Sequence, residues 1–319
     1  MQLSDVKLFS PEIILIFGSI FILVYGIFFT KSKDLNKNIF YITFVSLILS
    51  FYFSIYIVDL GTNSFNNLLN NDLYTLFFKI LAFTGTIIIT YISYNYLKDL
   101  DILKPEFFFL ILISLTGILI LISSRNIISM YLSLELQSIC LYILAAYRKY
   151  DVKSSEAGVK YFIIGSLASG ILLYGLSIIY AFTNATDFYE ISKSINLSLE
   201  NNENFLILNL GFVLILCGLF FKIAIVPFHM WAPDVYEGSA TPITAYFTTI
   251  PKIGAIGFLI KFLNIPFESY SDAWFQILYL VSIASMFLGS IAAVKQNNIK
   301  RLLAYSSISH MGFILIGIL

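Results

Sequence analysis

The sequence of 319 residues is 59% hydrophobic and only 12% charged, far from the ~25% charged residues of an average soluble domain. Nineteen basic and nineteen acidic side chains give no net charge, so no nucleic-acid or other polyanionic partner is indicated. The two cysteines, Cys140 and Cys217, lie in apolar runs without metal-ligand spacing, and two thiolates are too few for an ordinary iron–sulfur cluster. No glycine-rich phosphate loop follows a strand pattern, and no cofactor is expected in this chain. The opening MQLSDVKLFSPE lacks a basic n-region and carries two acids, unlike a signal or transit peptide. Heavy use of Phe (31) and Tyr (21) points to an AT-rich genome and organelle coding.

In chain order, ten segments are long and apolar enough to span a bilayer: 12–30, 38–58, 74–97, 107–124, 126–147, 160–182, 204–235, 240–262, 273–294 and 301–319. The expected fold class is all-α, a polytopic transmembrane helix bundle of about ten helices in one membrane domain. The stretch 183–203 reads as a polar surface loop. The sixth segment places Gly165, Ser166, Ser169 and Gly170 at spacings that let helices approach closely, which predicts packing rather than chemistry.

The seventh segment is the one on which function turns. From Asn204 to Pro233 a straight helix would run about 45 Å, too long for a hydrocarbon core of ~30 Å unless tilted or broken. Pro227, lacking an N–H, is the expected helix break, just beyond Lys222. An ionisable group beside an interrupted membrane helix is how transporters build ion sites; a lysine snorkelling at a helix end is the alternative.

Lysine and arginine distribute unevenly between the loops. Lys31, Lys33, Lys37, Lys98, Lys104, Arg148, Lys149, Lys153, Lys160, Lys295, Lys300 and Arg301 follow odd-numbered segments, against Lys7, Arg125, Lys193 and Lys261 on the other side. The N-terminus is therefore expected to face away from the positive-inside compartment. The loop after segment seven, with Asp234 and Glu237, falls inside but carries no base.

Lys79, Lys222, Lys252 and Glu135 remain within spans, where a charge costs ~2.5–3.5 kcal/mol on insertion scales and marks a functional candidate. Glu135, mid-way along its segment, must be protonated, paired or hydrated; Gln137 and nearby serines are suited to hold water. Lys252, directly after Pro251, which is the second expected helix break, is too deep to snorkel, whereas Lys79 can reach the near surface and reads as structural. His310 lies among Ser306, Ser307 and Ser309, either in a proton relay or in a polar packing network. Glu135, Lys222, Lys252 and His310 together have the composition of a lateral proton path.

At these residues a family resemblance enters. FKIAIVPFHMWAPDVYEGSATPITAYFTTIPK and KQNNIKRLLAYSSISHMGFILIGIL, with YLSLELQSICLYIL and KYFIIGSLASG, closely resemble NADH dehydrogenase (ubiquinone) subunit 2, an antiporter-like membrane subunit of respiratory complex I, over most of 75–319. The resemblance implies an antiporter-like inverted-repeat fold: N-terminal helices over 1–100, a first repeat over 105–263 and the start of a second over 272–319. It implies proton pumping coupled to remote quinone reduction, with the redox chemistry in other subunits. It makes Glu135 the acid of a glutamate–lysine pair, Lys222 its lysine, Lys252 the central relay and His310 a polar-axis residue of the second repeat. Against that family the second repeat is incomplete. The expectation is that a separately encoded polypeptide supplies the remaining helices, beside other complex I membrane subunits and lipids. The expected location is the mitochondrial inner membrane, with the N-terminus in the intermembrane space. The competing readings are a stand-alone cation/proton antiporter and a structural subunit without a pumping path of its own.

Overall fold

The computed structural model describes residues 3–29, 34–56, 63–65, 68–200 and 205–319. Runs free of charge and of interior proline leave the backbone one way to satisfy its polar groups in an apolar surround, the helix. Thirteen α-helices form over the described residues: α1 (Leu3–Leu8), α2 (Ser10–Phe28), α3 (Leu35–Tyr56), α4 (Leu73–Asp99), α5 (Pro105–Ser123), α6 (Ile127–Ala145), α7 (Val152–Thr183), α8 (Phe188–Glu200), α9 (Phe205–Ile223), α10 (Trp231–Gly238), α11 (Thr241–Asn264), α12 (Ser271–Val294) and α13 (Ile299–Ile318). Ten of them, all but α1, α8 and α10, are long and apolar enough to cross a membrane, so the expected all-α polytopic bundle is what forms. A two-residue antiparallel ladder, Asn63–Ser64 with Leu69–Asn70, is the sheet among the described residues. Lys31, Lys33 and Glu203 lie outside the described residues.

Two helices are enclosed by the rest. In α5 and α11 the most apolar windows are 78% and 72% buried, against 22–39% in α2, α3, α4, α7, α12 and α13, whose outward faces carry large apolar side chains such as Phe17, Ile88, Leu167 and Phe287. α5 packs against α2, α6 and α11; α7 packs along α9, and α12 along α13. Gly117 sets the α5–α6 spacing: a Cβ there would lie 2.9 Å from the Gln137 backbone nitrogen and 3.0 Å from the Ser133 oxygen. Gly117→Ala is therefore expected to cost about 1–3 kcal/mol by overpacking against backbone that cannot rotate away. A lowered thermal midpoint of the purified protein checks it.

Two boundaries depart from the sequence reading. Of the stretch expected to be a loop, 188–200 instead forms α8 and buries Phe188, Ile191 and Ile195, three- and four-residue spacings that lay one apolar stripe on the bundle, while 201–203 lie outside the described residues. α7 begins at Val152 rather than near 160, capped by the Asp151 carboxylate on the Lys153 N–H at 3.0 Å.

Candidate functional site

α9 ends at Ile223, four residues short of Pro227. Ala224 takes the left-handed conformation (φ 58°), with Ile225 N–H donating to Phe220 O (3.3 Å) and Ala224 N–H to Phe221 O (3.1 Å). This is a helix stop of the kind usually built on glycine. Ala224 rather than Pro227 thus breaks the helix, and Pro227 lies in the irregular segment that follows. Neighbouring groups satisfy the freed backbone. Trp231 Nε1 donates to Phe221 O (3.2 Å) while its ring stacks on Tyr161 at 4.5 Å, and Val226 N–H donates to Ser285 Oγ on α12 (3.0 Å). Non-helical backbone inside a membrane bundle is tolerated only with such partners.

Lys222, 8% exposed, sits two residues before this break. Its ammonium donates to Ser138 Oγ on α6 (2.7 Å) and Ser169 Oγ on α7 (3.3 Å). It forms no ion pair with Glu135 among the described residues; Glu135 lies one turn from Ser138 on α6, half-buried, close enough to act on Lys222 electrostatically. The expected glutamate–lysine interaction across α6 and α9 is therefore electrostatic, with Ser138 rather than Glu135 bonded to the ammonium. Gln137 Oε1, buried without a partner among the described residues, leaves an acceptor for water beside it. The small-residue stripe of α7 divides: Gly165 packs on Tyr142, Ser166 and Gly170 face outward, and Ser169 holds the lysine, which packing logic alone had missed.

Lys252, 2% exposed, lies mid-way along α11. Pro251 does not interrupt the helix. It removes the donor that Phe247 O would have received, and the Tyr236 hydroxyl donates to that carbonyl instead (3.4 Å). Lys252 Nζ donates to Ser307 Oγ on α13 (2.9 Å) and lies 5.8 Å from the centre of the Tyr236 ring. The serine cluster of α13 is split by helical geometry. Ser307 faces Lys252, Ser309 bonds Ser290 on α12 (3.1 Å), and His310 is exposed on the outer face. His310 is not brought into the buried site within this chain.

The acids of α10 find their bases on other helices, which resolves the baseless loop of the charge count. Asp234 bonds Lys160 of α7 and Arg301 of α13, each at 2.9 Å; Glu237 bonds Arg301 at 3.1 Å and Lys153 at 3.4 Å. The Arg301 hydrogen bond, followed by the Lys153 contacts, holds the Glu237 carboxyl below its ordinary range. For Asp234 partial burial pushes upward, but Lys160 and Arg301 outweigh it and the net direction is again down. Carboxyls depressed in the folded state stabilise it above their unfolded pKa, ~4, and lose that contribution as pH falls through the lower folded values. The thermal midpoint is accordingly expected to fall as pH drops below about 4, and Arg301→Gln to flatten that slope.

Three buried groups were misread or passed over. Lys79 does not snorkel: it is 4% exposed and pairs with Glu12 of α2 at 2.9 Å. Glu12 is one of the two acids of the opening segment. Lys261, assigned to a loop, is 5% exposed inside α11. Glu12 and Lys79 are 67 positions apart, so no local spacing announces them. The one available signal was Glu12's place at the start of an apolar run.

Ten apolar helices around enclosed lysines, one of them stopped beside such a lysine with its loose backbone groups satisfied by neighbours, define an antiporter-like polytopic membrane protein. Residues 124–319 match the family described as "NADH:quinone oxidoreductase/Mrp antiporter, TM", and the chain belongs to that family. It is 42% identical to NADH-quinone oxidoreductase subunit N of Pelagibacter ubique and 41% identical to subunit N 1 of Rhizobium meliloti, covering 99% of this chain in both cases. It spans 65% and 64% of the lengths of those relatives. A chain in respiratory complex I from Thermus thermophilus with bound aureothin superposes with TM-score 0.78 at 29% identity, over 97% of this chain and 64% of that one. A chain of the Mrp complex from Dietzia sp. DQ12-45-1b shares the fold, with TM-score 0.82 at 18% identity over 100% of this chain and 59% of that one.

Proposed function

We propose that the chain is a proton-translocating membrane-arm subunit of an NADH:quinone oxidoreductase, relaying protons through buried side chains while the redox chemistry proceeds in other subunits. The observation that carries this is the pairing of Lys222 and Lys252 with serine hydroxyls instead of carboxylates. The Ser138 and Ser307 hydroxyls donate to Leu134 O (2.6 Å) and Ala304 O (3.0 Å), and their oxygens accept from the lysine N–H in either state, since a neutral amine keeps two N–H donors; neither state strands a buried counterion. Such a lysine can gain and lose a proton without rebuilding its surroundings. In this scheme Glu135 biases Lys222 through its charge, Lys252 is the central relay, and His310 hands on to whatever packs against α13. The relatives compared are named as subunits of that oxidoreductase.

The division into N-terminal helices (1–100), first repeat (105–263) and start of a second (272–319) belongs to the same proposal, as does the lack of a redox cofactor in the chain. We place it among other complex I membrane subunits and lipids, in the mitochondrial inner membrane with the N-terminus in the intermembrane space. The basic helix ends around Lys98, Arg148 and Lys295 support that orientation; the relatives named above are bacterial, and there the same rule would put those ends in the cytoplasm. We assign the cover of the exposed α13 face, including His310 and Phe313, to helices of a separately encoded polypeptide. A photo-cross-linker at Phe313 that captures only lipid or a segment of the same chain overturns that assignment.

The test of the function is the assembly itself. The tagged chain is expected to migrate with flavin- and iron–sulfur-containing subunits in an NADH:quinone reductase that is lost on its deletion. Migration alone, with cation/proton exchange in vesicles, would refute it.

A further inference from the structure

The scheme above leaves unused the buried ions at the end of the bundle where α2 and α4 begin. Lys79 Nζ donates to Glu12 Oε1 at 2.9 Å and to Asn71 Oδ1 at 3.0 Å, and the Ser123 hydroxyl at the end of α5 also donates to Asn71 Oδ1 at 3.3 Å. The two ionic side chains are only 5% and 2% exposed. A buried ion pair seldom outperforms apolar residues of the same volume, so packing alone is a weak reason for it.

Three further observations distinguish this cluster from a closed structural pair. Glu12 Oε2 is buried and has no hydrogen-bond partner among the described residues, although buried acceptors are normally satisfied. A cavity of about 10 Å³, room for one water centre, opens between Lys79, Asn71, Thr75 and Ser54. Lys261, also buried near the end of α11, reaches among the described residues only the Ile122 carbonyl, at 3.5 Å, while Asp72 and Lys79 act on it electrostatically. Lys261 is nine residues from Lys252 on one helix, about 13 Å at ~1.5 Å per residue.

We propose that Glu12, Lys79 and Lys261 form a second proton-exchange station, where the buried lysine path meets the aqueous phase on the side at which α2 and α4 begin. It rests on the proton-translocation reading above. A proton leaves the Lys261 ammonium and passes through a water to Glu12 Oε2, giving a neutral amine and a carboxylic acid. The Lys79 ammonium stays charged and bonded to Oε1. The carboxylic acid then releases the proton to water at the bundle end, and the next proton restores Lys261. The surrounding charges are Asp72, at the N-terminus of α4, and the Arg125–Asp187 pair (3.0 Å). Ser54 of α3 and Ser123 of α5 face the cluster with hydroxyls.

The test compares protons moved per NADH oxidised by the intact membrane complex carrying Lys252→Ala, Glu12→Gln, or Glu12→Gln with Lys79→Met. The double variant removes both charges and leaves no stranded ion, so it reads function even where the single variant accumulates poorly. The station predicts that it assembles normally and that its proton ratio drops to that of Lys252→Ala. A purely structural pair gives the opposite pattern: the single variant lowers the amount of complex, and the double restores both amount and ratio. That result overturns the station. Should both Glu12 variants fail to accumulate, Lys261→Met supplies the same readout, a wild-type ratio again counting against it. A wild-type ratio in Lys252→Ala overturns the translocation reading itself, and the station with it.

Discussion

Lys252→Ala is expected to leave the complex assembled and to slow proton transfer through this subunit by about 10²-fold or more, the scale on which a positioned proton carrier contributes. The side chain is 2% exposed and its ammonium has one hydrogen-bond partner, Ser307. Losing it does not orphan that partner, because the Ser307 hydroxyl also donates to Ala304 O at 3.0 Å. Alanine continues α11, where Pro251 is already accommodated by Tyr236, so no backbone group is newly stranded. The structural cost is a small cavity among Tyr236, Ser307 and the body of α11, and the functional cost is the only titratable group at that depth of the helix. Proton movement per NADH in sealed vesicles, set beside the amount of assembled complex, separates the two. A normal ratio at normal assembly would remove Lys252 from the path.

What the sequence made legible follows from which forces are local. The ten spans were readable because insertion depends on runs of apolar residues, and a run is a property of consecutive positions. Lys222 and Lys252 stood out because a charge in such a run has no local excuse. What they bond to was not readable, since Ser138, Ser169 and Ser307 come from three other helices and serine is unremarkable in any of them. The helix stop was placed at Pro227 because proline is the residue that breaks helices on its own. The stop occurs at Ala224 because the Trp231 indole, as donor, and the Ser285 hydroxyl, as acceptor, satisfy the backbone there, and only tertiary structure supplies those partners. His310 was grouped with its serine neighbours by proximity along the chain, but successive helical positions point about 100° apart, and α13 turns it outward. The acids of α10 looked unpaired for the same reason in reverse, their bases lying 67 and 74 positions away.

The largest stability effect is expected from Lys79→Met. Methionine matches the length of the lysine stem and fits α4, so packing changes little, but the Glu12 carboxylate is left 2% exposed without its cation. Breaking a buried pair from one side typically costs about 3–5 kcal/mol, because the remaining ion keeps its desolvation penalty and loses its compensation. Glu12 has little else to fall back on: its second oxygen is already unpartnered, and Asn71 Oδ1, which shared the ammonium, is an acceptor and cannot replace it as a donor. The contrast is Lys153→Met at the opposite end of the bundle. That lysine is 73% exposed and bonds Glu237 at 3.4 Å, and Glu237 keeps Arg301, so the expected loss is about 0–1 kcal/mol. Thermal unfolding of the purified variants should therefore show a large fall in midpoint for Lys79→Met and almost none for Lys153→Met. Adding Glu12→Gln to Lys79→Met removes the stranded charge and should recover most of the loss. If Lys79→Met unfolds at the wild-type midpoint, the carboxylate has found a proton or water as a substitute partner, and the pair contributes little to holding α2 against α4.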